Sequence, residues 1–157
     1  MGLQERLDAL PQKANEERWA AYRNSGQPKG ISVVNEYELT QSAHEAVSEL
    51  AQLPEDYFRA ALDYLIARFP NRVDEPGSYT PQGYVCRIMC SVAVAALRGR
   101  EVFSEDDREK LRDALEGVKS YELSIPTFDG YDERDRTEKS VSIDNLLMTL
   151  GGLKGVD

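Results

Sequence analysis

TPQGYVCRIMCSVAVAAL, residues Thr80 to Leu97, decides how the rest of the chain is read. Wound as a helix, it lines up Cys86, Cys90, Ala93 and Leu97 on one strip, Tyr84, Ile88 and Val92 on a second, and Val85, Met89 and Ala96 on a third. Only Gly83, Arg87, Ser91 and Arg98 form a strip that is polar or small. A helix apolar on nearly all sides belongs at the centre of a domain, and its polar strip marks where it meets solvent, a partner or a paired carboxylate. Thr80 as cap, Pro81 in the first turn and Gly99 after the last turn bound this central helix at 80–98.

Cys86 and Cys90 then read as core. A disulfide between positions i and i+4 of one helix has poor geometry and does not suit a reducing compartment. A zinc site needs four ligands, whereas the chain holds two Cys and one His. A reactive thiolate needs a base or a positive neighbour, and Arg87 points about 100° away around the helix. Arg87 itself has two readings: a structural salt bridge within the fold, or an anion contact with a partner.

Working outward, the other elements are also helical. Leu3, Leu7 and Leu10 recur at helical spacing, Pro11 interrupts or kinks the run, and Trp19 with Tyr22 continues the apolar face. Residues 1–28 are read as a helical segment whose first part is a peripheral N-terminal arm. Ser42 and Glu45 form an S-x-x-E box that starts a helix running to about Leu53. After Pro54, Phe58, Ala61, Leu62, Leu65 and Phe69 share one face, and Pro70 stops the run. Ser104 caps a surface helix with the stripe Leu111, Leu115 and Val118, and Ser142 starts a last helix with Ile143, Leu146, Leu147 and Leu150. The expected fold is all-α, a five- to six-helix irregular or orthogonal bundle around helix 80–98, in a single domain over 1–157. The alternative is a small α+β fold that pairs an alternating segment at 31–39 with another at 120–125 as a two-stranded ribbon.

Composition narrows the class of protein. The chain has 157 residues, 41% hydrophobic and 30% charged, which suits a globular domain. Its uncharged runs, of which Pro76 to Cys86 and the apolar Ile88 to Leu97 are the longest, are too short to span a bilayer, so no membrane partner is expected. The N-terminus has no apolar core of signal-peptide length, and position 6 is Arg where a myristoylation motif wants Ser or Thr, so a cytoplasmic location is expected. Neither an internal repeat nor a low-complexity tract occurs.

The net charge of −9 is local. Residues 1–100 carry 13 acids and 11 bases, 101–138 carry 13 acids and 6 bases, and 139–157 carry two of each. A negative field repels phosphate backbones, so a protein partner with a basic surface is expected rather than direct nucleic acid. Glu105, Asp106, Asp107, Asp113, Asp132 and Asp135 are the candidate partner-binding acids, with Arg87 as a further candidate. Tyr and Trp outnumber Phe, and Trp19, Tyr22, Tyr79, Tyr121 and Tyr131 fall near helix ends or loops. Packing at the edge of the core is the favoured reading of these aromatics, an interface the other.

Catalytic signatures are sparse. His44, the only histidine, adjoins Glu45, but HEAVSE lacks the second His of H-E-x-x-H and no Glu-x-x-His pair exists. It is a weak catalytic candidate without a partner at a signature spacing. The stretch DGYDERDRTE holds Asp129, Asp132, Glu133, Asp135 and Glu138, but not at EF-hand spacing, and Arg134 and Arg136 would compete with a cation. No metal site or cofactor is expected, and glycine-rich nucleotide loops are absent. The expected function is that of a small acidic cytosolic binding module: an adaptor, inhibitor or immunity-type protein, in one version mimicking nucleic acid. Two alternatives stand beside it, a metal-dependent hydrolase or lyase using scattered carboxylates with His44, and a structural subunit of a homo-oligomer, in its simplest form a homodimer.

Overall fold

The computed structural model of the chain describes residues 2–24, 39–69, 81–100, 103–124, 126–127 and 132–153, the side chains of Tyr22 and of 81–86 excepted. Six helices follow in order: α1 (Leu3–Asn24), α2 (Gln41–Ala51), α3 (Glu55–Ile66), α4 (Pro81–Arg98), α5 (Glu105–Ser124) and α6 (Glu133–Gly151). No strand occurs among the described residues, and the fold is an all-α bundle. Helix α4 packs against each of the other five helices. From Arg87 to Leu97 all its side chains are buried except the half-buried Ala95. The central position expected from its wheel is therefore observed. Cys90 is 0% exposed, a core side chain, while the Cys86 side chain lies outside the described residues.

The structure corrects several expectations. The ribbon alternative fails at 120–125, where α5 continues to Ser124, and its other half, 31–38, lies outside the described residues. Continuation of the stripe Leu111, Leu115, Val118 through Tyr121 and Glu122, all buried, holds this segment in the helix. The N-terminal segment is docked rather than arm-like, because Leu7, Leu10 and Ala14 enter the core at 1%, 4% and 0% exposure. Pro11 lies inside α1, which runs on through it. There the ring removes one amide donor that Leu7 would otherwise meet, and packing of the apolar face against α2 and α4 outweighs that loss. At the other end of the chain, α6 begins at Glu133 instead of Ser142, so part of the expected charged loop is helix.

Helix ends are completed by residues from neighbouring helices. Thr40, not Ser42, is the N-cap of α2, accepting from the Ala43 amide. Ser42 is buried within the first turn, where its amide and hydroxyl both donate to the Glu17 carboxylate of α1, the hydroxyl at 2.6 Å. Helix α2 has no acid of its own in its first turn and no base in its last. Glu17 supplies the missing negative charge at the positive end of its dipole. At the opposite end Arg100 donates to the carbonyls of Ala51 and Leu53 and lies 4.4 Å from the Phe58 ring centroid. Arg108 does the same for α6, reaching the Leu153 carbonyl at 2.7 Å. On the outer side, Asp8 of α1 accepts from the Tyr64 hydroxyl and from Arg68 at 2.6 Å, fastening α1 to the end of α3.

Glu17 makes stability depend on pH. Burial pushes its carboxyl up, but the hydrogen bonds from Ser42 and Thr40 outweigh that and hold it below its ordinary value. A carboxyl depressed in the fold adds stability that is present above its unfolded pKa and lost as pH falls through the folded one. Glu17→Gln is expected to remove about 1 kcal/mol near neutral pH, the scale of a lost N-terminal cap. Urea melts at a series of pH values check this: the difference between variant and parent should shrink as pH drops below the ordinary carboxylate range. A difference that is constant with pH would contradict the role given to Glu17.

Candidate functional site

The acidic segment 101–138 folds into the hairpin of α5 and α6. Lys119 pairs with Asp144 at 2.7 Å and Arg108 reaches Leu153 at 2.7 Å, so the two helices run antiparallel. Glu105, Asp106 and Asp107 therefore lie at one end of the hairpin and Asp132 with Asp135 at the other, on the order of 30 Å apart at 1.5 Å rise per residue. The six candidate acids do not form one patch.

Four of the six are engaged in holding the fold. Asp132 is the N-cap of α6 and exchanges hydrogen bonds with Asp135 in a reciprocal box, at 2.9 Å from the Asp135 amide and 3.0 Å back from its own. The Asp135 amide is also the main reason the Asp132 carboxyl lies below its ordinary range. Glu105 pairs with Arg108, which positions the guanidinium that reaches Leu153. Asp107 faces Arg59 of α3 at 3.6 Å.

Asp106 and Asp113 are exposed and carry no ion pair among the described residues. They belong to a longer row. With a helical repeat, Asp106, Glu109, Asp113 and Glu116 share the outer side of α5, all exposed, over about 15 Å. Glu109 and Glu116 were not among the residues singled out from the sequence. The signal that finds them is the repeat that places Leu111, Leu115 and Val118 inside, followed on the opposite face. Lys110 falls near this row but is drawn aside into a pair with Asp63 of α3. Glu109 also contacts Arg112 at 3.3 Å, a pair exposed on both sides and worth little in water. The row thus presents four carboxylates to solvent, with Arg112 beside Glu109 and Lys119 one turn beyond Glu116 as the bases along its edge.

Arg87 is elsewhere. It lies 1% exposed in the centre of the bundle, where its Nη2 is 2.8 Å and 3.1 Å from the two carboxylate oxygens of Glu122, itself 1% exposed. Of the two readings of Arg87, the ion pair within the fold is the geometry observed. Ser91, the next member of the same strip, is 3% exposed and donates to the Arg87 carbonyl at 3.2 Å. Among the described members of the polar strip of α4, Arg87 and Ser91 are buried, Arg87 against Glu122 of α5, and Arg98 at the end is exposed.

Comparison with known proteins brings no relative. No family model, no curated protein and no solved structure matches the chain. The site has to be judged on its chemistry alone.

That chemistry is ionic. Among the described residues no three His, Cys, Asp or Glu side chains converge to hold a metal ion. His44 is exposed in the first turn of α2, with Gln41 and Glu45 on the same surface and no acid set around it. None of the described helices is long and apolar enough to cross a membrane. Of the aromatics, Trp19 is 46% exposed and Tyr121 is 9% exposed, so one stands at the surface and the other closes the core. Tyr79, Tyr131, Asp129 and the Tyr22 side chain lie outside the described residues.

Proposed function

We propose that the chain is a small acidic binding module that seats the basic surface of a partner protein on the outer side of α5. The observation that carries this reading is the row Asp106, Glu109, Asp113 and Glu116, exposed and needed by neither helix packing nor capping. Such a row in an acidic field steers a basic partner and fixes its register, while the null effect of the same charges is solubility alone. Adaptor, inhibitor and immunity-type roles all use this chemistry, and mimicry of a phosphate backbone is its most specific form. A cytoplasmic setting accompanies the proposal.

Asp113→Lys with Glu116→Lys tests it, since both positions lie beyond the first turn of α5 and their reversal does not oppose the helix dipole. Capture from an extract of the source cell at low salt is expected to recover a basic protein, released at about 0.5 M salt where screening is strong. The reversed variant should keep its melting temperature and lose the capture. Equal recovery by both proteins would remove α5 from the interface.

A second reading, a subunit of a homo-oligomer, has one observation in its favour. Val141 and Met148, seven positions apart on one side of α6, are 49% and 75% exposed. Sedimentation at two salt concentrations separates the readings: self-association through this apolar pair should persist at high salt, where the α5 contact fails.

A further inference from the structure

The helices form two packing groups that follow one another in the chain. Helices α1 to α4 contact one another through α1 with α2, α2 with α4 and α3 with α4, whereas α5 packs chiefly on α6. The hairpin has its own ties, Lys119 to Asp144 and Arg108 to Leu153. It meets the first group chiefly through α4 and α3. Across that join run the exposed pair Lys110–Asp63, the long, half-buried pair Arg59–Asp107 at 3.6 Å and the buried pair Arg87–Glu122.

These links differ in kind. Exposed pairs are weak and do little to hold the join. The buried pair is close and directional, yet both ions gave up water to form it, and that loss offsets much of their attraction. When the join opens, the guanidinium and the carboxylate recover their hydration. An all-apolar join of the same shape recovers nothing comparable, so it would open less readily.

We propose that the α5–α6 hairpin is a latch that leaves α4 as one unit, with the Arg87–Glu122 pair setting how readily it opens. Opening uncovers the inner stripe of α5, which includes Leu111, Leu115 and Val118, and the face of α4 around Arg87 and Ser91. Cooperative opening of a contiguous supersecondary unit below the free energy of global unfolding is the behaviour such a division produces. The proposal does not depend on what the outer side of α5 binds.

Native-state hydrogen exchange on the full chain at low denaturant tests it. Amides of α5 and α6 are expected to exchange through one common opening, at a lower free energy than amides of α2 and α4. In Arg87→Met with Glu122→Leu, exchange of the hairpin amides should slow by about tenfold or more, the scale seen when apolar residues replace a buried pair. In Glu122→Gln, which keeps the shape and removes the charge facing Arg87, the hairpin amides should exchange about tenfold faster while those of α1 and α2 stay unchanged. The latch is overturned if wild-type hairpin and α4 amides share one opening, or if Glu122→Gln speeds all helices alike. Hairpin amides that exchange no slower in the apolar double variant overturn the role of the pair.

Discussion

Glu122→Leu alone is expected to lower the stability of the fold by about 3–5 kcal/mol, because the change takes away the carboxylate and leaves the Arg87 charge in the core. The Arg87 side chain is 2% exposed, so its guanidinium cannot turn to water without moving α4 or α5. A urea melt reads the loss directly, and a thermal melt should show a fall on the order of 10 °C for a chain of this size. The complementary change, Arg87→Met in the Glu122→Leu background, should restore that stability in full and carry it above the parent, because removing both ions removes the desolvation they suffered. This asymmetry distinguishes the buried pair from an ordinary stabilising contact, whose second deletion restores nothing. If Glu122→Leu melted within about 1 kcal/mol of the parent, Arg87 would have to be neutralised by other groups and the pair would not be the main partner.

The same pair shows how far the sequence could be read. Each member interrupts an apolar pattern: Arg87 lies on the one polar strip of α4, and Glu122 continues the stripe Leu111, Leu115, Val118 of α5. Taken singly, Arg87 fits either a salt bridge within the fold or an anion contact with a partner, and Glu122 is one of several residues in the alternating segment 120–125. Each irregularity is explained by the other, 35 positions away. No local rule connects them. The central place of α4 was legible because it rests on a repeat of eighteen residues whose sides are nearly all apolar.

Helix ends were less legible for a related reason. The S-x-x-E pattern at Ser42 points two residues too far inward because Ser42 is claimed by Glu17, from a different helix. At α6 the cap is Asp132 with Asp135, a box built from two aspartates inside a run charged at almost every position, where no apolar stripe marks the first turns. The acids at both ends of the hairpin were read together as a docking surface because they share a sign and a segment. Antiparallel packing separates them, and their hydrogen bonds assign Asp132 and Asp135 to capping. What remains exposed and outside the caps is the row on α5, which periodicity alone could have isolated.

Leu115→Ala is expected to cost about 2–5 kcal/mol, and Leu123→Ala close to nothing, although both are leucines on the same helix. Leu115 is 0% exposed within the apolar core, so truncation removes buried methyl groups and leaves a cavity that close-packed neighbours only partly fill. Leu123 is 49% exposed, and shortening it uncovers little that was not already wet. The contrast also tests the helical state of 120–124 in solution. In a strand Tyr121 and Leu123 would share a face and both would be felt on truncation. In the helix Tyr121, 9% exposed, and Leu123 point to different sides. Equal losses at positions 121 and 123 in urea melts would mean that α5 ends before them, and Glu122 would then lose the orientation that brings its carboxylate to Arg87.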